Sequence, residues 1–218
     1  MASRIIHLAI AKCLGEVLQI KYKNRFYIGH ILPDAVISAD KRKVNSHFIE
    51  VFDNGRKKHF DFYAFYERYK DKIPSNELYL GYYFHLIEDN VFRKLLYYDL
   101  GLLSRRGEPK LLEDLYSDYH ILNGILTEKY DLENTLYVPK DFSNEKINDV
   151  YSFELCDFIG DINKDLKERR REKPKYLTSK RIEKYILDCV DICMAEYAAL
   201  KNVKHHLDRY DFSFDIKN

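Results

Sequence analysis

The sequence predicts an all-α protein, a multi-helix bundle with at most one short β-hairpin. Apolar residues recur at helical spacing along most of the chain, as in the stripe formed by Ile6, Ile10 and Leu14. Glycine and proline are scarce, at 8 and 5 of 218 residues, which argues against a loop-rich all-β fold. Because no repeat or long linker divides the chain, we expect a single domain over residues 1–218.

About seven helices are expected, and the first is the clearest at its start. Ser3 is a predicted N-cap for a helix over residues 4–20. A short helix near residues 24–31 must end before Pro33, because the residue before a proline disfavours helical backbone angles. The other predicted helices cover residues 61–72, 76–103, 110–130, 145–170 and 178–202.

Two further signals refine this pattern. The runs FIEVF and HFDFY flank Asp53-Asn54-Gly55-Arg56, which is a hairpin-like turn and the one expected β element. Ser75 follows a proline and is expected to cap the long helix over 76–103, with Glu77 in its first turn complementing the helix dipole.

Composition excludes several classes of function. The 36 basic and 35 acidic residues give a net charge of +1, so no blanket of positive charge indicates nucleic-acid binding. Hydrophobic residues make up 46% of the chain, which is too high for a disordered protein. A P-loop, a G-x-S-x-G elbow and a Rossmann glycine pattern are all missing from the sequence.

The sequence also predicts a cytoplasmic location. The four cysteines suit a reducing compartment better than a disulfide scaffold. His7, Lys12 and Glu16 interrupt the apolar residues near the N-terminus, so a signal peptide is not expected. No stretch approaches the roughly 18 apolar residues that a membrane span requires.

His85 and Asp89 form the most informative pair in the sequence. They are four residues apart in a strongly apolar helix, so both side chains lie on one face, one turn apart. An imidazole and a carboxylate in this arrangement can hold one metal ion, which would offset the cost of burying Asp89. A buried His–Asp hydrogen bond explains the spacing equally well.

Three other residues are candidate ligands, and each has an ordinary structural alternative. His7 lies on the apolar stripe of the first helix, where a core histidine is common. Asp34 follows a proline and could instead cap a helix, and His47 could be a loop histidine. The set and its order along the chain carry more information than any single member.

That order resembles the zinc-dependent phospholipase C family. The matching pieces are His7 in an N-terminal helix, the G-x-x-x-P-D pattern in Gly29–Asp34, His47, and the G-x-x-x-H-x-x-x-D pattern in Gly81–Asp89. The resemblance covers roughly residues 1–95 and implies a helical fold like that of zinc-dependent phospholipase C and P1 nuclease. It also implies a metal-binding helical domain with the metal in a cleft.

The resemblance implies roles for individual residues. Asp34, His47, His85 and Asp89 would surround one metal, and Asp89 would bridge to a second metal bound by His7. Zinc is expected, as one or two ions, although iron, manganese or nickel also accept such ligands. Asp34 is the candidate catalytic carboxylate, as ligand or base for the attacking water.

The sequence departs from the family in two ways. It contains no tryptophan, whereas secreted members use an N-terminal tryptophan as a ligand. The family's H-x-x-x-E motif has no counterpart, and its nearest candidates are Asp118 and His120. These two point roughly 200° apart on a helix, so at most one faces the site. Asp118 is favoured, because it lies four residues before Leu122 on an apolar stripe.

The implied activity is metal-dependent hydrolysis of a phosphoester, similar to that of phospholipase C. A non-catalytic, metal-stabilised helical protein is one alternative. An HD-type nucleotide phosphohydrolase is another, although the sequence contains no His-Asp dipeptide.

Lys41, Arg42 and Lys43 are expected to rim the site and to attract a small anionic phosphoester. Three bases are few for stable membrane anchoring, so none is expected. The nearly balanced charges also predict that nucleic acid is not a partner. Oligomeric state stays open.

Overall fold

A computed structural model describes residues 2–36, 45–145, 147, 154–202 and 204–216. Within these residues the protein has seven α-helices and three β-strands. The helices are α1 (Arg4–Val17), α2 (Lys23–Ile31), α3 (Phe62–Tyr69), α4 (Glu77–Lys94), α5 (Pro109–Lys129), α6 (Leu155–Asp165) and α7 (Ser179–Leu200). The strands are β1 (Ile49–Phe52), β2 (Lys57–Phe60) and β3 (Phe214–Asp215).

The predicted helical fold is confirmed, and several boundaries differ. Ser3 caps α1 as expected, accepting a hydrogen bond from the Ile6 amide. The cap of α4 is Asn76 rather than Ser75, since the Asn76 side chain accepts from the Leu78 amide at 3.1 Å. The observed helix α4 is shorter than the helix predicted over 76–103. It ends at Lys94, and a π-helical turn over Leu95–Asp99 follows.

The helix predicted over 145–170 is also shorter. Of its described residues, Leu155–Asp165 are helical and 166–170 are not. Residues 146 and 148–153 lie outside the described part of the chain. Beyond the end of the helix, the Arg169 guanidinium donates to the Leu166 and Glu168 carbonyl oxygens. The helix predicted over 178–202 is confirmed as α7.

The sheet has one strand more than predicted. β1 and β2 form the expected antiparallel hairpin, with Phe52 opposite Lys57 at its turn. β3 then pairs antiparallel with β2 through Lys57–Asp215 and Lys58–Phe214, so the limit of one hairpin was wrong. This pairing joins residues more than 150 positions apart, and a two-residue strand leaves no alternating pattern from which to predict it.

The helices and the sheet share one hydrophobic cluster. α4 is its central element and packs against α2, α3, α7 and β2. α1 lies on α2 and α7 and carries a buried face that includes His7.

Two glycines let α2 and α4 cross closely. A Cβ at Gly29 would lie 2.2 Å from the Leu78 carbonyl oxygen, and one at Gly81 would lie 2.3 Å from the Phe26 carbonyl oxygen. Larger residues at either position would force the two backbones apart. The close crossing places the end of α2, and Asp34 just beyond it, beside His85 of α4.

Candidate metal centre

α4 contributes the His85 and Asp89 side chains from one face. Both are fully buried, and His85 Nε2 lies 3.5 Å from Asp89 Oδ2. The Asp89 Oδ2 atom has no hydrogen-bond donor among the described residues. A buried carboxylate oxygen without a donor is costly, and a cation beside it would offset that cost.

Asp34 and His47 approach the same point from α2 and from the start of the hairpin. Asp34 ends a 3-10 turn over Leu32–Asp34 that continues α2. His47 Nε2 lies 3.4 Å from Asp34 Oδ1, 3.4 Å from His85 Nε2 and 3.6 Å from Asp89 Oδ2. The structure therefore brings together the four residues predicted to surround one metal.

These distances match those around a tetrahedral ion. Ligand atoms about 2.0–2.1 Å from zinc lie roughly 3.3–3.4 Å from one another in a tetrahedral site. Four separations between ligand atoms of Asp34, His47, His85 and Asp89 run from 3.4 to 3.6 Å. Two imidazoles and two carboxylates also form a donor set that zinc accepts.

The far sides of the two imidazoles are held by hydrogen bonds that fix their orientation. His85 Nδ1 donates to the His30 carbonyl oxygen at 2.6 Å. The Ser46 hydroxyl donates to the Pro33 carbonyl oxygen at 2.9 Å, so at 3.0 Å it accepts from His47 Nδ1. With Nδ1 protonated in both rings, each neutral imidazole directs its Nε2 electron pair toward the centre.

His7 joins the centre on the other side of Asp89. Its ring stacks on the His85 ring at 4.0 Å, and its Nε2 lies 3.5 Å from Asp89 Oδ1. Asp89 Oδ1 also accepts from the Ala2 amide at 3.0 Å. The two oxygens of Asp89 thus face two different groups, an arrangement compatible with the predicted bridging role.

Glu88 and His30 are the members of the cluster that the sequence analysis did not assign. Glu88 is fully buried, accepts from His7 Nδ1 at 2.6 Å and lies 3.1 Å from His30 Nε2. The available signal for Glu88 was its position next to Asp89 in a strongly apolar helix. It was not assigned, because an acid is ordinarily expected to face solvent. Glu88 orients His7 in the way that carboxylates orient metal-binding histidines.

The buried charges shift one another's pKa values. Burial lowers the pKa of His7, but the hydrogen bonds and charges of Asp89 and Glu88 outweigh this and raise it to about 10. Burial raises the pKa of Glu88, and interactions with His30 and His7 reverse that effect and lower it to about 2. In the metal-free chain, a proton on His7 therefore supplies part of the positive charge that the two acids require.

The other two groups behave as metal ligands should. Burial and the neighbouring charge of His7 lower the pKa of His85, which keeps its imidazole neutral near pH 7. Burial would raise the pKa of Asp89, but the charge of the amino terminus and the hydrogen bonds with His7 and His85 lower it well below its usual value. A neutral imidazole and an ionised carboxylate are the forms that bind a divalent cation.

Asp118 lies apart from this cluster. Its carboxylate accepts from the backbone amides of Lys175, Tyr176 and Leu177 at 2.6–2.9 Å and so holds the turn before α7. Its hydrogen-bonding capacity serves the backbone, so we leave it out of the ligand set. The alternative, His120, instead contacts Glu168 at 2.8 Å.

Two further groups of histidines and acids have metal-like spacing. Glu50, His59 and Asp61 lie together at the sheet, and His120, Asp165 and Glu168 lie between α5 and the end of α6. Both have a basic partner: Arg209 donates to Asp61, and Arg4 donates to Asp165. The centre on α4 differs from them in this respect.

Solvent can approach the centre at Asp34. The side chains of His7, His47, His85 and Asp89 have no exposed area, whereas that of Asp34 is 12% exposed. The bases expected to rim the site, Lys41–Lys43, lie outside the described residues.

Comparisons with models of known families, with curated proteins and with solved structures gave no match. Among the described residues, no helix has the length and apolar character needed to cross a membrane.

Proposed function

We propose that the protein is a metal-dependent hydrolase of phosphoester bonds that resembles phospholipase C. The observation that carries this proposal is the convergence of two imidazole nitrogens and two carboxylate oxygens, 3.4–3.6 Å apart, with one of the two carboxylates, Asp34, partly exposed. The order of these residues along the chain resembles that in zinc-dependent phospholipase C, which supports the same interpretation.

In this proposal, Asp34, His47, His85 and Asp89 hold one zinc ion, and Asp89 and His7 hold a second. Zinc so bound would supply Lewis acidity, by lowering the pKa of water and offsetting phosphate charge. The chain's own contribution is to fix the ligands: Ser46 and the His30 carbonyl orient the two imidazoles, and Glu88 orients His7.

Asp34 is the proposed catalytic carboxylate. It is the one member of the four-residue set with exposed side-chain area, so water and substrate reach it first. A carboxylate at this edge can accept a proton from the attacking water while its other contacts keep it in place. Burial of the remaining ligands excludes bulk water from the rest of the centre.

The test is a panel of phosphomonoesters and phosphodiesters, assayed with zinc and with chelator. We expect turnover that disappears with chelator and falls at least about 100-fold in Asp34→Asn. Asp118→Asn is the matched control, because this buried aspartate holds backbone amides elsewhere and its loss should leave turnover per folded molecule unchanged. Turnover that is indifferent to both chelator and Asp34→Asn would reject the mechanism.

A second candidate function is a non-catalytic domain that the metal stabilises. The observation in its favour is burial, since His7, His47, His85, Glu88 and Asp89 are all fully buried. A structural metal site is closed, whereas a catalytic one keeps an open position. Stoichiometric zinc without turnover on any phosphoester of the panel would favour this candidate.

We also propose a cytoplasmic location. Cys13, Cys156, Cys189 and Cys193 are all free thiols. Burial raises the pKa of Cys189 and Cys193, which makes these two thiols unreactive core residues. Four titratable thiols in the freshly isolated, unfolded chain are expected, and a disulfide between any two would contradict the assignment.

A further inference from the structure

A separate cavity of about 230 Å³ lies where the end of α4 meets the start of α5. Five of its ten lining residues are leucines, of which four are buried and one, Leu112, is 55% exposed at the mouth. The apolar lining consists of Leu96, Leu102, Leu111, Leu112, Leu115 and Tyr97. Such a lining accepts a hydrocarbon chain.

Two arginines at this cavity lack an acidic partner among the described residues. Arg93 Nη1 donates to the Tyr97 hydroxyl at 3.3 Å, and the buried Arg93 Nε has no acceptor in the described part of the chain. Arg106 donates only a long bond, 3.5 Å, to the Leu103 carbonyl oxygen. The one acid in the lining, Glu108, is paired with Arg105 at 2.9 Å.

Two further features near the cavity contribute positive potential. Lys58 is half-buried nearby, and burial together with the charge of Arg93 lowers its pKa. The 21-residue helix α5 starts at Pro109, directly after Arg106-Gly107-Glu108, so the positive end of its dipole faces this region. An apolar cavity with two uncompensated guanidinium groups is complementary to an amphiphilic anion.

We propose that this cavity binds a medium-chain fatty acid, with its carboxylate between Arg93 and Arg106 and its chain among the leucines. The size follows from the volume: at roughly 30 Å³ for each methylene, about the share of one water molecule, 230 Å³ holds about eight carbon atoms. Arginine favours a carboxylate or phosphate over an uncharged head group, because its planar donors match two oxygens.

The test uses octanoate, 1-octanol and acetate as probes, titrated into the full chain by isothermal calorimetry. Octanoate should bind with a dissociation constant of about 1 mM or lower, and 1-octanol should bind roughly 10- to 100-fold more weakly. This ratio corresponds to the loss of one or two charge-assisted hydrogen bonds. Acetate should give no detectable heat. Equal binding of octanoate and 1-octanol, or no binding of octanoate, would overturn the proposal.

Two variants probe the two halves of the site. Arg106→Gln should weaken octanoate roughly tenfold while leaving 1-octanol unchanged. Leu112→Asp places a negative charge at the exposed mouth and should also weaken octanoate, without disturbing the buried core. Lys110→Gln is the matched control, since Lys110 is a nearby exposed base that already pairs with Glu113 and Asp114. The proposed site would be wrong if only the Lys110→Gln control lost octanoate binding, or if Arg106→Gln, Leu112→Asp and the control all kept it.

The experiment also separates this site from the metal centre. Octanoate affinity should be the same with and without chelator, and in His85→Ala as long as that variant is folded. Dependence of octanoate binding on zinc would instead place the carboxylate on the metal and reject the cavity as its site. A peptide with a C-terminal leucine also carries a carboxylate beside an apolar group, so it is the rival occupant of the cavity. Dansylated peptides of this kind serve as competitors. Displacement of octanoate by such a peptide at equal concentration would overturn the fatty-acid assignment.

Discussion

The centre on α4 and the cluster at the sheet contain similar residues and balance their charges differently. At the sheet, Arg209 donates to Asp61 at 2.8 Å and lies 3.8 Å from Glu50, while His59 contacts Glu50 at 2.6 Å. On α4, no lysine or arginine of the described residues pairs with Glu88 or Asp89. An arginine in place balances buried acids permanently, whereas on α4 the balance falls to exchangeable cations, which are a proton on His7 or a bound metal ion.

The largest expected effect is on His85→Ala. The variant removes a ligand and leaves Asp89 buried, so metal content should fall from at least one ion per chain to near zero. The free energy of unfolding should fall by about 3–5 kcal/mol. Elemental analysis of untagged protein and urea unfolding measure the two quantities.

His59→Ala is the matched control from the sheet cluster, because it removes a buried histidine whose acidic neighbours keep Arg209. Its metal content should equal that of the wild type. If His85→Ala kept its metal, or if both proteins lost it, the distinction between the two clusters would be wrong.

Chelation should give the next largest effect. Zinc at a hundred times its dissociation constant stabilises a protein by about 2.7 kcal/mol. For a chain of this length, that corresponds to a rise in Tm of about 5–10 °C. Differential scanning fluorimetry should show this loss with chelator and its recovery with added zinc. The His85→Ala variant should show neither response, and an equal response in both proteins would count against the site.

A smaller effect is expected when only the orientation of a ligand is disturbed. Ser46→Ala removes the hydroxyl that accepts from His47 Nδ1, so the imidazole loses its preferred tautomer and direction. Zinc affinity should fall roughly 10- to 100-fold while the fold is retained. Competition with a chromophoric chelator measures this affinity. Ser213→Ala, which removes an exposed hydroxyl at the sheet end, should leave it unchanged.

The helices and much of the centre could be predicted because both depend on local spacing. Apolar stripes predict α1, α4 and α7, and four-residue spacing alone places His85 and Asp89 on one face. Asp34 and His47 required a resemblance to connect them to α4, since spacing within the sequence does not indicate which helices cross.

The features of the fold and of the centre that could not be predicted depend on contacts between distant parts of the chain. The close approach of Gly29 and Gly81 is what carries Asp34 to His85, and neither glycine alone predicts its partner. Glu88 could be assigned only once His7 and His30 were known to face it, because an acid is ordinarily solvated. Asp118 had helical spacing that suited a ligand, yet the turn before α7 uses its carboxylate.

The smallest expected effect is at Arg209, and it tests the sheet side of the comparison. Arg209→Ala removes the basic partner of Asp61, whose side chain is only 7% exposed. Because the arginine itself is 26% exposed, solvent replaces part of the lost interaction, and we expect a loss of about 1–2 kcal/mol in unfolding free energy. Tightly bound metal should be unchanged, since the centre on α4 does not contact this residue. Arg181→Ala, at an exposed arginine that donates to the Tyr176 carbonyl oxygen, is the control and should cost less. A loss of metal in Arg209→Ala would mean that the two clusters are coupled, and the contrast between a permanent and an exchangeable cation would then fail.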